Sequence, residues 1–125
     1  MREIYLKGFE LCIREAAPKA LMTSYNLING QHTSTRRDLV EDILRQEFGF
    51  SGLVMTDWLI QGGMVPKNAK YAAPDPGAVA AAGGDLYMPG SKADMEKIRV
   101  ALKEGRLTEK QLRQNATRLL RFWNK

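Results

Sequence analysis

The sequence predicts an α/β chain whose strands run parallel and are joined by helical crossovers. Two observations carry that expectation. Segments with apolar residues at helical spacing alternate with short, mainly apolar runs. Those runs have the length and composition of strands covered on both faces.

The elements follow in order. Residues 2–17 predict a helix, with Ile4, Phe9, Cys12, Ile13 and Ala16 as its apolar set, and Pro18 ends it. Ala20 to Thr23 predict a buried strand, followed by the polar Ser24-Tyr25-Asn26 and a turn at Asn29-Gly30. A second helix is expected over residues 36–47, capped by Ser34 or Thr35 and closed at Gly49, with Leu39, Ile43, Leu44 and Phe48 inward. Residues 52–56 predict the second strand, which stops at Asp57-Trp58. Residues 59–75 read as irregular, and Pro76 opens a short helix through Ala82. Gly83-Gly84 breaks it before a third strand candidate, Asp85 to Met88, which Pro89-Gly90 stops. A helix over 92–103 is capped by Ser91, faces inward through Met95, Ile98 and Leu102, and closes at Gly105. Thr108 with Gln111 forms a capping-box pattern for a last helix through Phe122, striped by Leu112, Ala116, Leu119 and Leu120.

Three strands do not close a barrel. They suit a small open sheet, or one side of an eight-stranded barrel of about 250 residues. A separated barrel portion would expose strand edges and recruit another copy, swap elements or stay partly folded.

Composition bounds the rest. The chain has 125 residues, 44% of them hydrophobic and 26% charged, the balance of a globular protein. A compact chain of 14.1 kDa has roughly 6,700 Å² of accessible surface. One cysteine, Cys12, excludes an internal disulfide and reads as a small core residue. It fits a cytoplasmic location, and secretion of a longer parent is compatible with it. One histidine, His32, excludes a His-rich metal centre and is expected at the surface of a polar loop. No apolar run approaches the roughly 20 residues of a membrane span, and the first residues lack a signal-peptide pattern. The net charge of +5 is scattered rather than massed, so neither nucleic acid nor membrane is an expected partner. The glycine pairs match no dinucleotide or phosphate-loop pattern, and there is no Gly-x-Ser-x-Gly elbow.

The chemistry concentrates where apolar runs end. The clusters are Ser24-Tyr25-Asn26, Asp57-Trp58, and Asp85 with Tyr87 and Met88. Ligands of parallel α/β folds meet the C-terminal ends of strands. Asp57 stands out because it comes after a small apolar run and precedes Trp58 and a long loop. On spacing alone two readings stand: a nucleophile or electrostatic stabiliser at an anomeric carbon, or a turn cap beside a core tryptophan. Tyr25 and Asn26 suit a substrate or the orientation of Asp57, although Asn in a tight turn more often bonds its own backbone. Asp85 beside two glycines reads first as an acceptor for loop N–H groups, and Met88 as packing.

These residues resemble glycoside hydrolase family 3, which includes β-glucosidases, β-xylosidases and β-N-acetylglucosaminidases. Arg2-Glu3-Ile4-Tyr5-Leu6 and Gly8-Phe9-Glu10 resemble the helix before the family's sixth barrel strand. Lys19 to Asn26 with Asn29-Gly30 resemble that strand and its loop, and Leu39, Leu44, Arg45 and Phe48-Gly49-Phe50 the next helix. Gly52 to Trp58 resemble the nucleophile segment, and Gly83 to Gly90 the eighth-strand segment. The resemblance implies an α/β fold that is part of a (β/α)8 TIM barrel, about strands six to eight, with residues 1–125 as the C-terminal segment of the barrel domain. It makes Asp57 the nucleophile of a retaining mechanism, with Trp58, Tyr25 and Met22 shaping the sugar site. It implies a β-glycoside or oligosaccharide substrate and no metal or redox cofactor.

The same resemblance leaves gaps. The family's Lys-His-Phe segment and its acid/base region are not in this sequence. Retaining hydrolysis needs a second carboxyl group about 5–5.5 Å from the nucleophile. Nothing in the sequence places Asp75 or Asp85 there. The parent is expected to hydrolyse terminal β-glycosides, most directly β-glucosides. The separated chain is expected to be inactive, to self-associate, and to find its natural partners in the missing barrel half and a later domain. The alternative is a carbohydrate-binding or structural module without catalysis.

Overall fold

The computed structural model describes residues 1–61, 65–66 and 68–124. Helix α1 (Lys7–Ala16) leads to strand β1 (Ala20–Met22), then a hairpin of β2 (Leu27–Ile28) and β3 (Gln31–His32). A 3₁₀ turn (Thr33–Thr35) and a π-helix (Asp38–Glu47) connect to β4 (Leu53–Met55). Helices α2 (Pro76–Ala81), α3 (Lys92–Lys103) and α4 (Glu109–Trp123) complete the chain. Strands β1 and β4 pair in parallel, Ala20 opposite Leu53 and Met22 opposite Met55. The result is an α/β arrangement consistent with part of a larger barrel-type domain, with no closed barrel among the described residues.

The third strand is reduced to one parallel bridge between Met55 and Leu86. Side chains take the ladder bonds on either side of it. The Val54 N–H goes to the Asp85 carboxylate at 2.8 Å, and the Met88 N–H goes to Thr56 Oγ1 at 2.9 Å. At the start of β4, Gly52 passes so close to β1 that a Cβ there would lie 2.3 Å from the Lys19 carbonyl oxygen. The two strands meet at that point only because residue 52 has no side chain.

The hairpin turn falls at Asn29-Gly30, with φ of 52° and 82°. Both left-handed residues suit the tight turn that matches strand twist. The helix over 36–47 is present but wider than expected, its Phe48 N–H reaching the Ile43 carbonyl at 2.9 Å. That five-residue step keeps Phe48 on the buried side with Val40, Ile43 and Leu44. Neither Ser34 nor Thr35 caps it. Ser34 is buried against His32, Thr35 Oγ1 donates to the His32 carbonyl, and Asp38 accepts from the Leu39 N–H.

One core joins Leu6, Ile13, Val40, Ile43, Leu44, Phe48, Phe50 and Val54. A second joins Ala80, Ala101 and Leu107. Helix α1 contributes only the stripe of Ile13, so Phe9 and Cys12 are exposed rather than core, and Ile4 lies in exposed turn ahead of the helix. In α3 the inward side is Ile98, Ala101 and Leu102, and Met95 is exposed. In α4 the inward side is rotated toward polar residues. Asn115 donates to the Ala80 carbonyl at 2.9 Å and Gln111 to the Ala81 carbonyl at 3.2 Å. Gln111 thus reaches a carbonyl at the end of α2, and Asn115 shares the Ala80 carbonyl with the Gly83 N–H. Ala116 and Leu120 therefore face outward. The expected cap of Ser91 on α3 and the reciprocal Thr108–Gln111 box on α4 are both formed, and Asp75 caps α2 ahead of Pro76.

Candidate active site

Parallel pairing places the ends of β1 and β4 side by side, and two of the three polar clusters meet there. Asp57 leaves β4 two residues after Met55 and is half-buried. Its Oδ1 accepts the Trp58 N–H at 2.6 Å. It has no ion-pair partner among the described residues, so neither carboxylate oxygen is engaged by a cation there. The Tyr25 hydroxyl donates to the Trp58 carbonyl, tying the loop after β1 to the loop after β4. Partial desolvation and the nearby Asp57 charge raise the Tyr25 pKa above the ordinary phenol value. Met22 and Trp58 are both about half exposed, at 55% and 51%, beside this carboxylate-bearing end. Trp58 is therefore not a core residue. The chain then turns sharply through Leu59, a non-glycine residue with φ of 54°, a conformation that costs about 1–3 kcal/mol and clusters at functional sites.

The third cluster divides. The Met88 carbonyl accepts the Leu59 N–H at 3.3 Å, which brings Met88 to the Asp57 end. Asp85 lies further back along β4, level with Val54. The strand rise of about 3.3 Å per residue puts it roughly 10 Å before Asp57. Its fully buried side chain also accepts from Arg45 at 2.6 Å and Arg118 at 3.4 Å. Burial raises its pKa against the opposing pull of the Val54 N–H and the two guanidiniums. Arg118 pairs in turn with Glu41 at 2.9 Å, and Arg45 donates to the Gly52 carbonyl. This ion cluster joins the π-helix, β4 and α4. Sequence reading named Asp85 as an acceptor and Arg45 only as part of the family resemblance; the Glu41–Arg45 spacing of four on one helix was the available signal for the pairing. Asp75 is likewise engaged, capping α2 through the Gly77 and Ala78 N–H groups.

His32 is 1% exposed, not a surface residue. Its Nδ1 accepts the Ser34 N–H at 3.2 Å and lies 2.7 Å from Ser34 Oγ, because the hairpin folds back over its own 3₁₀ turn. Its Nε2 has no partner among the described residues, and burial lowers its pKa. The Asn26 backbone holds the hairpin through its carbonyl, which accepts the Thr33 N–H, while its side chain stays exposed. Among the described residues no three His, Cys, Asp or Glu side chains cluster as metal ligands, and no helix is long and apolar enough to cross a membrane. A groove of about 700 Å³ touches Met22 and Asn26 but lies on the α1 side and does not include Asp57.

The sequence profile of the glycosyl hydrolase family 3 N terminal domain matches residues 1–122. A β-glucosidase of Ruminococcus albus is 38% identical over 98% of this chain and 13% of its own length. An exo-alpha-(1->6)-L-arabinopyranosidase of Bifidobacterium breve is 39% identical over the whole chain and 15% of its own length. Among solved structures, β-glucosidase 3B from Thermotoga neapolitana with glycerol superposes with a TM-score of 0.80 at 36% identity, covering 97% of this chain and 16% of that one. A GH3 β-glucosidase of Bifidobacterium adolescentis gives the same score and identity over 98% of this chain and 16% of that one. The chain therefore spans less than a fifth of the length of these relatives. With the family profile matched along nearly every residue, the chain belongs to glycosyl hydrolase family 3, in its N-terminal domain.

Proposed function

We propose that the protein carrying this chain is a retaining β-glycosidase for terminal non-reducing β-D-glycosides, β-glucosides first, with Asp57 as nucleophile. The observation that carries this reading is the placement of Asp57: a carboxylate at the C-terminal end of a parallel strand, uncommitted to any cation among the described residues, beside exposed Trp58 and Met22. The chain supplies strands six to eight of the barrel. An Asp57 oxygen attacks C1, the C1–O bond to the aglycone breaks, and a carboxylic acid protonates the departing oxygen. Water then attacks C1, the acid's conjugate base takes its proton, and Asp57 is released with configuration retained. Tyr25 orients the loop that holds Asp57, and Trp58 and Met22 border the sugar.

Asp75 and Asp85 are both occupied by structural bonds. In this reading the acid/base group comes from outside these 125 residues, as the family resemblance implies, and the separated chain turns over no substrate. The names of the relatives span glucosidase and arabinopyranosidase, so the glycone is selected by residues beyond those shared here. The test is labelling of the full-length protein with a 2-deoxy-2-fluoro-β-glucosyl fluoride and subsequent peptide mapping. Label on Asp57, and loss of labelling in Asp57→Ala, are expected. Label on another carboxylate overturns the assignment.

A further inference from the structure

The parallel ladder between β4 and the segment from Asp85 to Met88 breaks step at Asp57. Its last regular bonds run from the Leu86 N–H to the Val54 carbonyl at 3.1 Å and from the Thr56 N–H to the Leu86 carbonyl at 3.0 Å. Continued regularly, it would set Asp57 opposite Met88, with the Met88 N–H on the Thr56 carbonyl and the Trp58 N–H on the Met88 carbonyl. Each bond is displaced instead. The Met88 N–H donates to the Thr56 hydroxyl oxygen at 2.9 Å. The Trp58 N–H turns to Asp57 Oδ1 at 2.6 Å, and the Leu59 N–H takes the Met88 carbonyl at 3.3 Å. One extra residue thus enters on the β4 side, and the left-handed Leu59 absorbs it. This is the logic of a bulge, which bends a strand and re-aims a side chain beside an active site.

Two bonds to Met88 close the bulge, one on each side of the Asp57-Trp58 pair. The bond from Leu59 joins backbone groups, which any sequence supplies. The other needs an oxygen on the side chain of residue 56. Thr56 is 2% exposed, so that oxygen meets no sugar and acts only through what it holds. Without it, the ladder acceptor for the Met88 N–H is the Thr56 carbonyl, and regular pairing draws Asp57 back into line with the strand.

We propose, on the reading of Asp57 as nucleophile, that Thr56 is its positioning residue: the hydroxyl holds the break in the ladder that sets the direction of the Asp57 carboxylate. A displacement of about 1 Å at a reacting atom costs on the order of 10²-fold in rate, so the hydroxyl governs the attack step without touching substrate.

The rate at which a 2-deoxy-2-fluoro-β-glucosyl fluoride traps the full-length protein tests it, with peptide mapping of the label. Thr56→Val, which keeps the shape and removes the oxygen, is expected to lower the first-order trapping constant at least about tenfold, with the half-saturating reagent concentration unchanged to within about twofold. Thr56→Ser, which keeps the oxygen, is expected to stay within about threefold of the parent constant. A loss of stability alone reduces the amount of protein labelled but not the rate constant of the folded fraction. Thr56→Ala is a second variant without the oxygen, should Val not fit. Trapping of the Val or Ala variant on Asp57 at the parent rate overturns the role of Thr56 and leaves the nucleophile standing. An equal loss in Thr56→Ser also overturns it, because the methyl rather than the oxygen then matters. So do Val and Ala variants that both fail to fold, because the hydroxyl is then a requirement of the fold. Label on another carboxylate of the parent overturns the nucleophile assignment, and the role of Thr56 with it.

Discussion

Replacing Asp85 by Ala is expected to be the most damaging single polar substitution in this chain. The carboxylate is fully buried and bonds the Val54 N–H, Arg45 and Arg118. Its removal leaves Arg45, only 7% exposed, with Glu41 at 3.6 Å as its remaining acid partner. It also leaves the N–H of Val54, a 0% exposed residue, without an acceptor. Breaking a buried ion pair from one side costs about 3–5 kcal/mol, and an orphaned buried N–H about 1–3 kcal/mol. The two effects overlap, so a total of about 4 kcal/mol is expected, a large share of the roughly 5–15 kcal/mol that holds a domain together. Asp85→Asn keeps an oxygen for Val54 while losing the charge, and is expected to cost about half as much. Urea unfolding monitored by tryptophan fluorescence, at one fixed chain concentration, measures both. An Asp85→Ala cost below about 1 kcal/mol, or equal costs for Ala and Asn, refutes the account of Asp85 as the acceptor that replaces a strand partner.

The remaining predictions concern titration and close packing. Burial lowers the His32 pKa, so the folded chain binds fewer protons there than the unfolded chain. Its contribution is complete above about pH 6.5 and is lost as the pH falls through the folded value; melts between pH 7 and 5 are expected to show the loss, and His32→Gln to flatten it. The Tyr25 hydroxyl titrates above the ordinary phenol range partly because of the Asp57 charge. Asp57→Asn is expected to move its midpoint down in ¹³C-tyrosine NMR, and an unmoved midpoint separates the two residues. Gly52→Ala drives a Cβ to 2.3 Å from the Lys19 carbonyl and is expected to cost about 2 kcal/mol or more, read from the same urea curves.

Much of the architecture was legible because local signals and tertiary demands agree. The caps at Ser91 and Thr108 and the Asn29-Gly30 turn are short-range devices, and each stands where its residues put it. The strand end at Asp57 was legible for a similar reason: an apolar run must stop somewhere, and the residues just past its end are displayed. The misses arise where partners distant in sequence decide. Periodicity placed Cys12 and Phe9 inward, but α1 has only one covered face and Ile13 occupies it. The stripe of α4 was read from its leucines. The carbonyls of Ala80 and Ala81 at the end of α2, some thirty residues earlier, recruit Asn115 and Gln111 instead. His32 sits in a polar stretch, and no local pattern reveals that the hairpin buries it. The third strand looked complete because Asp85's role as an acceptor is invisible until Arg45 and Arg118 arrive beside it.

Strand β4 is built with a division of labour between its extremities. At one, a dry knot of opposite charges fixes the backbone; at the other, the chain offers a single acid to the outside. The two ends share no side chain. Residues around the exposed end can consequently be exchanged without loosening what keeps the strand in place. Changes in the knot instead destabilise the fold itself.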